Sequence, residues 1–260
     1  MTDAAPAPAA SPRRARGRQV TVQAIVLRRT DFRESSRIVT CLTKEHGRIA
    51  GLAKGAHRPD SPFLGRLDFL NQIRATFSAD RGGLRLLLRA DLVHERRALR
   101  APARFLAAGH VAWLCDRAST DGRPEPALFD LLHGGLQLLE RCPADRVPQV
   151  ALGLELRHLA ALGALPDLDR CADCGGSLDG GAFRHEESLG VVCRRHAGLP
   201  RRPVPAEALL LLRALHTRAG RQWPALAAGP GLRAAASLPA LWLAAALDQR
   251  SPWRSLVFAG

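Results

Sequence analysis

The sequence has no hydrophobic run long enough to cross a bilayer. A membrane-spanning helix needs about 20 consecutive apolar residues. The longest candidate, residues 234–247, is shorter and contains Pro239. Arg13-Arg14 is not followed by the apolar segment that a twin-arginine export signal requires. We therefore expect a cytoplasmic protein without a membrane partner.

Aromatic residues are also scarce. They make up 5% of the chain, and tyrosine is absent. Between residues 19 and 98 the aromatic side chains are Phe32, Phe63, Phe69 and Phe77. Stacking on aromatic rings can therefore contribute little to binding by this segment, and charge has to contribute more.

Lysine is nearly missing, yet the chain is strongly basic. Of 38 basic residues only Lys44 and Lys54 are lysines, and the net charge is +14. This preference for arginine is typical of a GC-rich genome and is not itself a functional signal. Residues 20–100 carry sixteen basic and eight acidic side chains, whereas residues 101–203 are nearly neutral. Such a concentration of positive charge in one segment indicates a nucleic-acid-binding domain.

Sequence patterns of enzymes are absent. The glycine-rich stretch Gly51–Gly55 contains Lys54 but does not match G-x-x-x-x-G-K-[ST], the phosphate-binding loop of NTPases. The residues also give no reason to assign a Ser-His-Asp triad or a pair of catalytic carboxylates. These absences favour a binding protein that is not an enzyme.

The most specific motif is a pair of metal-ligand clusters. Cys171-Ala-Asp-Cys174 is separated by eighteen residues from Cys193-Arg-Arg-His196. Two ligand pairs at this spacing are typical of a tetrahedral Zn²⁺ site. Gly175 and Gly176 follow the first pair and suit the tight turn that such a pair needs. Because four protein ligands leave no open coordination position, the predicted zinc is structural.

Other interpretations of this segment are a reduced cysteine pair without metal and a redox C-x-x-C. The redox interpretation is disfavoured because no βαβ pattern surrounds the motif. His185-Glu186-Glu187 fits the H-x-E half of a zinc deaminase signature, but the order of the two halves is reversed. His185 is an alternative fourth ligand if His196 points away. The isolated Cys41, Cys115 and Cys142 suit a reducing compartment.

Residues 19–98 alternate in hydrophobicity with a period near two, which predicts β-strands. The five predicted strands are Val20–Leu27, Ser36–Leu42, Arg48–Ala53, Leu70–Phe77 and Leu84–Val93. Five short strands in a basic segment suit an OB-fold barrel. The period alone leaves an SH3-like barrel open as the alternative.

The remaining chain, residues 99–260, has the 3.6-residue period of helices. Predicted helices begin near Phe105, Leu128, Val150, Ala206 and Leu232, and Pro239 kinks or splits the last one. The predicted architecture is therefore α+β and multidomain. A disordered basic arm (residues 1–18) precedes the OB-fold (19–98), and the helical domain (99–260) contains an inserted zinc-binding segment (168–200).

This order of parts resembles the RecO family of bacterial recombination mediators. The resemblance covers about residues 19–215. It is carried by Gly47-Arg48, by Leu-Ala-Lys-Gly-Ala-His-Arg at residues 52–58, and by Gly-Ala-Leu-Pro-Asp-Leu-Asp-Arg-Cys at residues 163–171. His196 is a departure, since zinc-bearing relatives usually have a fourth cysteine there. The metal is not universal in the family, so the resemblance makes zinc a stabilising element.

The resemblance implies a DNA-binding protein of recombinational repair, associated with the nucleoid while it acts. Its implied activities are binding of single- and double-stranded DNA and annealing of complementary strands. The implied partners are the acidic C-terminal tail of the single-stranded-DNA-binding protein and RecR, with which it helps to load RecA. The alternative is a zinc-stabilised transcription or RNA-binding factor without annealing activity.

We predict that DNA phosphates are bound by cations of the barrel segment. The candidates are Arg37, Arg48, Lys54, His57, Arg58, Arg74, Arg81 and Arg85. Lys54 lies between two glycines, where the backbone can approach a phosphate closely. Arg194-Arg195 and Arg201-Arg202 beside the metal motif are weaker candidates, because residues 161–203 are neutral overall.

Overall fold

The computed structural model describes residues 19–80, 83–184, 189–227, 229 and 231–259. The N-terminal part is a closed barrel of five strands in the order β1-β2-β3-β5-β4. The strands are β1 (Val20–Phe32), β2 (Ser36–Thr43), β3 (Gly47–Ala53), β4 (Gln72–Phe77) and β5 (Arg85–His94). All pairs are antiparallel except β3 with β5. This order confirms the OB-fold prediction over the SH3-like alternative. The predicted arm lies outside the described residues.

The long first strand closes the barrel. Its first half pairs with β4 and its second half with β2, and the register shifts between Val26 and Arg28. The sequence pattern predicted that this strand ends at Leu27, but the strand continues to Phe32. The extension has exposed, polar residues, so its alternating hydrophobic signal is missing. Pairing with β2 sustains it instead.

The helical part follows the barrel as predicted. Its helices are α1 (Pro102–Ala118), α2 (Pro126–Arg141), α3 (Val147–Ala161), α4 (Ala206–Thr217), α5 (Gly231–Leu247) and α6 (Arg254–Val257). Pro239 lies inside α5 and does not split it. Among the described residues, no helix combines the length and hydropathy that a membrane crossing requires.

A small sheet lies between α3 and α4. Its strands are β6 (Ala182–Arg184), β7 (Val191–Val192) and β8 (Arg202–Val204), with β6 in the centre. Leu168, Leu178 and both residues of β7 belong to the same hydrophobic core as the helices. The segment is therefore packed on the helical domain.

The barrel is joined to the helices by apolar and charged contacts. Ile25, Leu27 and Leu42 point away from the barrel interior and belong to the helical core. The two parts share this core, so the core does not mark where one domain ends and the next begins. The predicted boundary between residues 98 and 99 stays a prediction. Lys44 of the β2–β3 turn pairs with Asp130 of α2 at 2.9 Å. The outward face of β2 is thus covered at the end near Leu42.

Gly47 lies at the tightest point of this contact. Its φ is +60°, and a Cβ atom there would lie 1.8 Å from the carbonyl oxygen of Arg123. The next residue, Arg48, donates its backbone N–H to Thr120 and accepts that of Gly122. These contacts require glycine both for its backbone conformation and for the absence of a side chain.

We expect Gly47→Ala to reduce the free energy of unfolding by about 3 kcal/mol, because left-handed backbone strain of about 1 kcal/mol adds to displacement of the Arg123 backbone. Urea denaturation monitored by circular dichroism measures this loss. Gly122→Ala is the matched control, since its φ is +71° but its added Cβ meets no atom within 4 Å. Equal losses for the two variants would contradict the proposed close contact.

Candidate metal centre and nucleic-acid interface

Two tight turns place the four predicted metal ligands. In the first, Gly175 donates its N–H to the carbonyl of Cys171 at 2.8 Å, and Cys171 donates to the carbonyl of Gly176 at 2.8 Å. Gly175 has a φ of +66°, so the turn needs glycine there. The second turn is the single 3₁₀ turn Arg194–His196, which follows β7 and Cys193. Each turn brings a ligand pair to the same side.

The structure brings the four side chains together. Their candidate ligand atoms, three cysteine Sγ and one histidine nitrogen, all lie within 4.8 Å of one another. The Nδ1 atom of His196 is 3.3 Å from Sγ of Cys193 and 3.7 Å from Sγ of Cys171. A tetrahedron with metal–sulfur bonds of about 2.3 Å has sulfur atoms about 3.8 Å apart. The donor spacing therefore fits one tetrahedral ion.

The surroundings favour thiolates at two of the cysteines. Burial opposes ionisation of Cys193, but hydrogen bonds from the His196 side chain and from backbone N–H groups lower its thiol pKa to about 6. Burial also opposes ionisation of Cys171, while backbone N–H donors lower its thiol pKa. One donor is the N–H of Cys193, 3.3 Å from Sγ of Cys171. Thiolates are the form in which cysteine binds metals.

These four residues can hold a metal ion. Three soft sulfur donors and one imidazole are the ligand set of closed tetrahedral sites, which keep no position for a substrate. Cys171 and Cys193 are buried and Cys174 is exposed, so the site lies at the edge of the packed segment. His185, the alternative fourth ligand, lies outside the described residues. Among the described residues, His196 supplies the fourth candidate donor of the cluster.

The metal segment is also tied to α4. Arg213 of that helix donates two hydrogen bonds to the carbonyl of Leu168, at 3.0 and 2.8 Å. Its guanidinium pairs with Asp169 at 2.7 Å. The chain that enters the first ligand turn is thereby fixed to the helical domain.

The predicted DNA-binding cations do not all lie on one surface. Four of them lie at one end of the barrel, where β1 turns into β2 and β3 ends. These four are Arg37, Lys54, His57 and Arg58, and Arg33 lies at the same end. We call these five residues the basic end. The loop after β3 is held against the β1–β2 turn by a hydrogen bond from the N–H of His57 to the carbonyl of Ser35 at 3.1 Å.

Within the basic end, the cations differ in how far they are neutralised. Asp31 accepts a hydrogen bond from Arg37 at 3.0 Å and lies 3.0 Å from Nε2 of His57. The hydrogen bond from Arg37 lowers the pKa of Asp31. Lys54 and Arg58 are exposed, and the described residues offer neither an acidic partner. Of the predicted cations, these two are the most available to a phosphate.

Sequence reasoning missed Arg33. It has a φ of +56°, and its guanidinium lies 5.3 Å from the centre of the Phe32 ring, which is 36% exposed. An arginine stacked on an aromatic ring offers both a charge and a flat face to a nucleotide. The signal in the sequence was a Phe-Arg pair between the first two predicted strands.

Arg48, another predicted DNA-binding residue, contacts the helical part. Its guanidinium contacts Asp121 and donates to the carbonyl of Asp116 at 2.7 Å. It also lies 3.2 Å from the carboxylate of the buried Asp116. Arg48 therefore joins the barrel to the helices, and its contact with DNA stays a prediction.

The other three candidates lie apart from the basic end or are already paired. Arg85 is 11% exposed and pairs with Asp80 at 2.7 Å. Arg74 is exposed on β4, which pairs with β1 and β5 and not with β2 or β3. Arg81 lies outside the described residues.

Comparison with known proteins agrees with this architecture. The family model "Recombination protein O N terminal" matches residues 18–96, and "Recombination protein O C terminal" matches residues 99–237. A Geobacter metallireducens protein named DNA repair protein RecO is 35% identical over 238 residues, which are 91% of this chain and 95% of the relative. A Myxococcus xanthus protein of the same name is 34% identical over 82% of this chain and 86% of the relative. A Bacillus subtilis protein of the same name is 32% identical over 66% of this chain and 67% of the relative.

The barrel and the helical part thus correspond to the N-terminal and C-terminal parts of one class of proteins. This chain belongs to the RecO family.

Proposed function

We propose that this chain is a DNA-binding recombination mediator of DNA repair. It binds single- and double-stranded DNA, anneals complementary strands and helps to load RecA on strands coated by single-strand-binding protein. The observation that carries the proposal is the set of unneutralised cations at the basic end of an OB-fold in a RecO-family chain. Relatives that cover most of this chain are named DNA repair proteins.

The chemistry of the basic end supports contact with phosphates. Lys54, Arg58 and Arg33 attract the DNA backbone whatever its sequence, and their binding releases condensed counterions. OB-folds use the β2–β3 face and the adjoining loops for oligonucleotides. Because Phe32 is the one exposed aromatic residue among the described barrel residues, we expect binding to be driven by charge and to weaken steeply with salt.

The proposed protein partners are the acidic C-terminal tail of the single-strand-binding protein and RecR. The family resemblance supports both, and the net charge of +14 favours an acidic tail. Cations at the basic end would neutralise phosphates of first one DNA strand and then the other. This lowers the repulsion between the two strands as they pair. Annealing in this scheme needs no catalytic residue.

The metal in the proposal is structural zinc held by Cys171, Cys174, Cys193 and His196. The donor set and its spacing support this assignment. When bound, the ion would join the two ligand turns and fix the segment between α3 and α4. It takes no part in DNA chemistry.

An annealing assay tests the proposed function. Two complementary DNA strands are coated with single-strand-binding protein, and duplex formation is followed by fluorescence transfer between end labels. We expect this chain to speed pairing at least tenfold over the coated strands alone. Tight binding to one sequence, or to RNA, without faster pairing would instead support the alternative of a transcription or RNA-binding factor.

The basic end itself is tested by Lys54→Ala combined with Arg58→Ala. Each phosphate contact to a single strand contributes roughly 0.7 to the slope of log affinity against log salt concentration. We therefore expect the slope to become shallower by about 1.4 and the affinity in low salt to fall roughly tenfold or more. Fluorescence anisotropy with labelled oligo-dT at several salt concentrations measures both quantities.

Arg74→Ala combined with Arg89→Ala is the matched control. It removes the same charge from strands β4 and β5, where Arg89 pairs with Asp91 at 2.8 Å. We expect it to change the slope by less than half as much as the first pair. If the two double variants behave alike, DNA is not held at the basic end.

A further inference from the structure

An apolar row crosses the outer face of the barrel. Ile38 of β2 pairs with Leu52 of β3, and Leu52 pairs with Leu86 of β5. The next residues along each strand are buried in the barrel core: Val39, Ala53 and Leu87. Since side chains alternate between the two faces of a strand, Ile38, Leu52 and Leu86 point outward. We call these three residues the apolar row.

The apolar row is not covered by the rest of the described protein. Leu86 is 36% exposed, Ile38 and Leu52 are half-buried, and none of the three belongs to either hydrophobic core. Two leucines near Leu86 are also exposed: Leu84, which precedes β5, by 48%, and Leu88 of β5 by 43%. By contrast, Leu42 at the other end of β2 packs into the helical core. Adjacent apolar side chains left open to water are typical of a binding surface.

The apolar row adjoins the basic end. Leu52 precedes Lys54 by two residues, which is about 7 Å along an extended chain. On the neighbouring strand, Ile38 follows the turn that carries Arg33. One face of the barrel therefore offers apolar area beside unneutralised positive charge.

We infer that the unstacked bases of single-stranded DNA cover the apolar row while the basic end holds the phosphates. The inference rests on the proposed function and deepens it. A single strand carries an anionic backbone and exposed, largely apolar base faces close together, which matches both parts of this surface. A duplex keeps its bases stacked inside and cannot cover the row. Aliphatic side chains form no base-specific hydrogen bonds, so contact with them is indifferent to sequence.

Abasic DNA separates the two parts of the surface. An abasic oligonucleotide has the phosphates of oligo-dT of equal length but no bases. The test compares both oligonucleotides with the unaltered chain and with Leu52→Thr combined with Leu86→Thr. Threonine has a β-branched side chain, which suits strands, and equal melting temperatures show that the variant is folded.

We expect the unaltered chain to bind oligo-dT about tenfold more tightly than the abasic strand, as burial of two partly exposed leucines allows. The double variant should lose this preference and bind the abasic strand as the unaltered chain does. Its salt dependence should also be unchanged, because no phosphate contact is removed. Leu210→Ala with Leu241→Ala, which alters two exposed leucines on α4 and α5, should keep the preference.

Several results would overturn the inference. A double variant that keeps the tenfold preference, or that loses affinity equally for both oligonucleotides, shows that bases do not lie on the apolar row. An altered sedimentation coefficient with unchanged DNA binding assigns the row to a second copy of the chain. If the double variant does not fold, Ile38→Thr alone must reduce the preference at least threefold. Binding of both oligonucleotides with equal affinity by the unaltered chain sinks only this inference, whereas binding of neither sinks the proposed function as well.

Discussion

Replacing Cys171 by serine should release the metal ion and loosen the segment from residue 166 to residue 204. Cys171 is the most buried of the three cysteine ligands, and its sulfur accepts the backbone N–H of Cys193. Structural zinc contributes an apparent ~10–16 kcal/mol in isolated small modules. Here Leu168, Leu178 and β7 stay packed on the helices. We therefore expect a smaller loss of unfolding free energy, about 4 kcal/mol.

Two measurements check this prediction. Elemental analysis of protein prepared without chelator should find one zinc ion per chain, and none in the variant. Hydrogen exchange should speed up first in residues 166–204 and later in α1 to α3. Chelation of the unaltered chain should reproduce the same pattern.

Matched variants separate metal binding from packing. Cys142→Ala removes another buried cysteine, whose thiol contacts the carbonyl of Leu139 and is not part of the ligand cluster, and it should retain zinc. His196→Ala should lose the ion, whereas His196→Cys should retain it because cysteine is also a zinc ligand. A chain that holds no zinc, or a His196→Ala variant that holds it as firmly as the unaltered chain, would refute the proposed site.

Removing the Glu155 carboxylate should destabilise the helical domain by about 3–5 kcal/mol, the usual cost of breaking a buried ion pair. Glu155 is fully buried in α3 and accepts hydrogen bonds from Arg254 at 2.7 and 2.9 Å. It also lies 2.7 Å from Nε2 of the buried His110. Glu155→Ala leaves the charge of Arg254, whose side chain is 17% exposed, without its acidic partner. Urea denaturation followed by circular dichroism measures the effect.

A double variant tests the cause. Glu155→Leu combined with Arg254→Met removes both charges and fills the space with apolar groups, so it should lose clearly less stability than Glu155→Ala alone. Burial opposes ionisation of Glu155, but the hydrogen bond from His110 and the charge of Arg254 lower its carboxyl pKa below 4.5. The contribution of the ionised Glu155 carboxylate to the free energy of unfolding is thus complete above pH 4.5. It is lost as the pH falls through the lowered pKa. A loss under 1 kcal/mol for Glu155→Ala at pH 7 would show that the pair does not stabilise the domain.

Local patterns in the sequence were sufficient to predict which four donor residues cluster and to predict most of the elements. Ligands at C-x-x-C and C-x-x-H spacing lie on single turns, so short-range geometry fixes each pair. The change from a two-residue to a 3.6-residue period separated barrel from helices, because burial on one face imposes that period on strands and helices. The end of β1 was wrong by several residues, because pairing with β2 sustains the strand where the hydrophobic pattern is missing.

The availability of each cation depended on the tertiary structure. Arg48 and Lys54 look alike as basic residues six positions apart, yet Arg48 meets Asp116 and Asp121 from the helical domain while Lys54 has no acidic partner among the described residues. The apolar row likewise exists only because β3 pairs with β5 across the barrel. Sequence by itself therefore determined the kinds of elements, the ligand set and the excess of positive charge. Only the folded chain decided which charges are neutralised, because ion pairs depend on distances between residues remote in sequence.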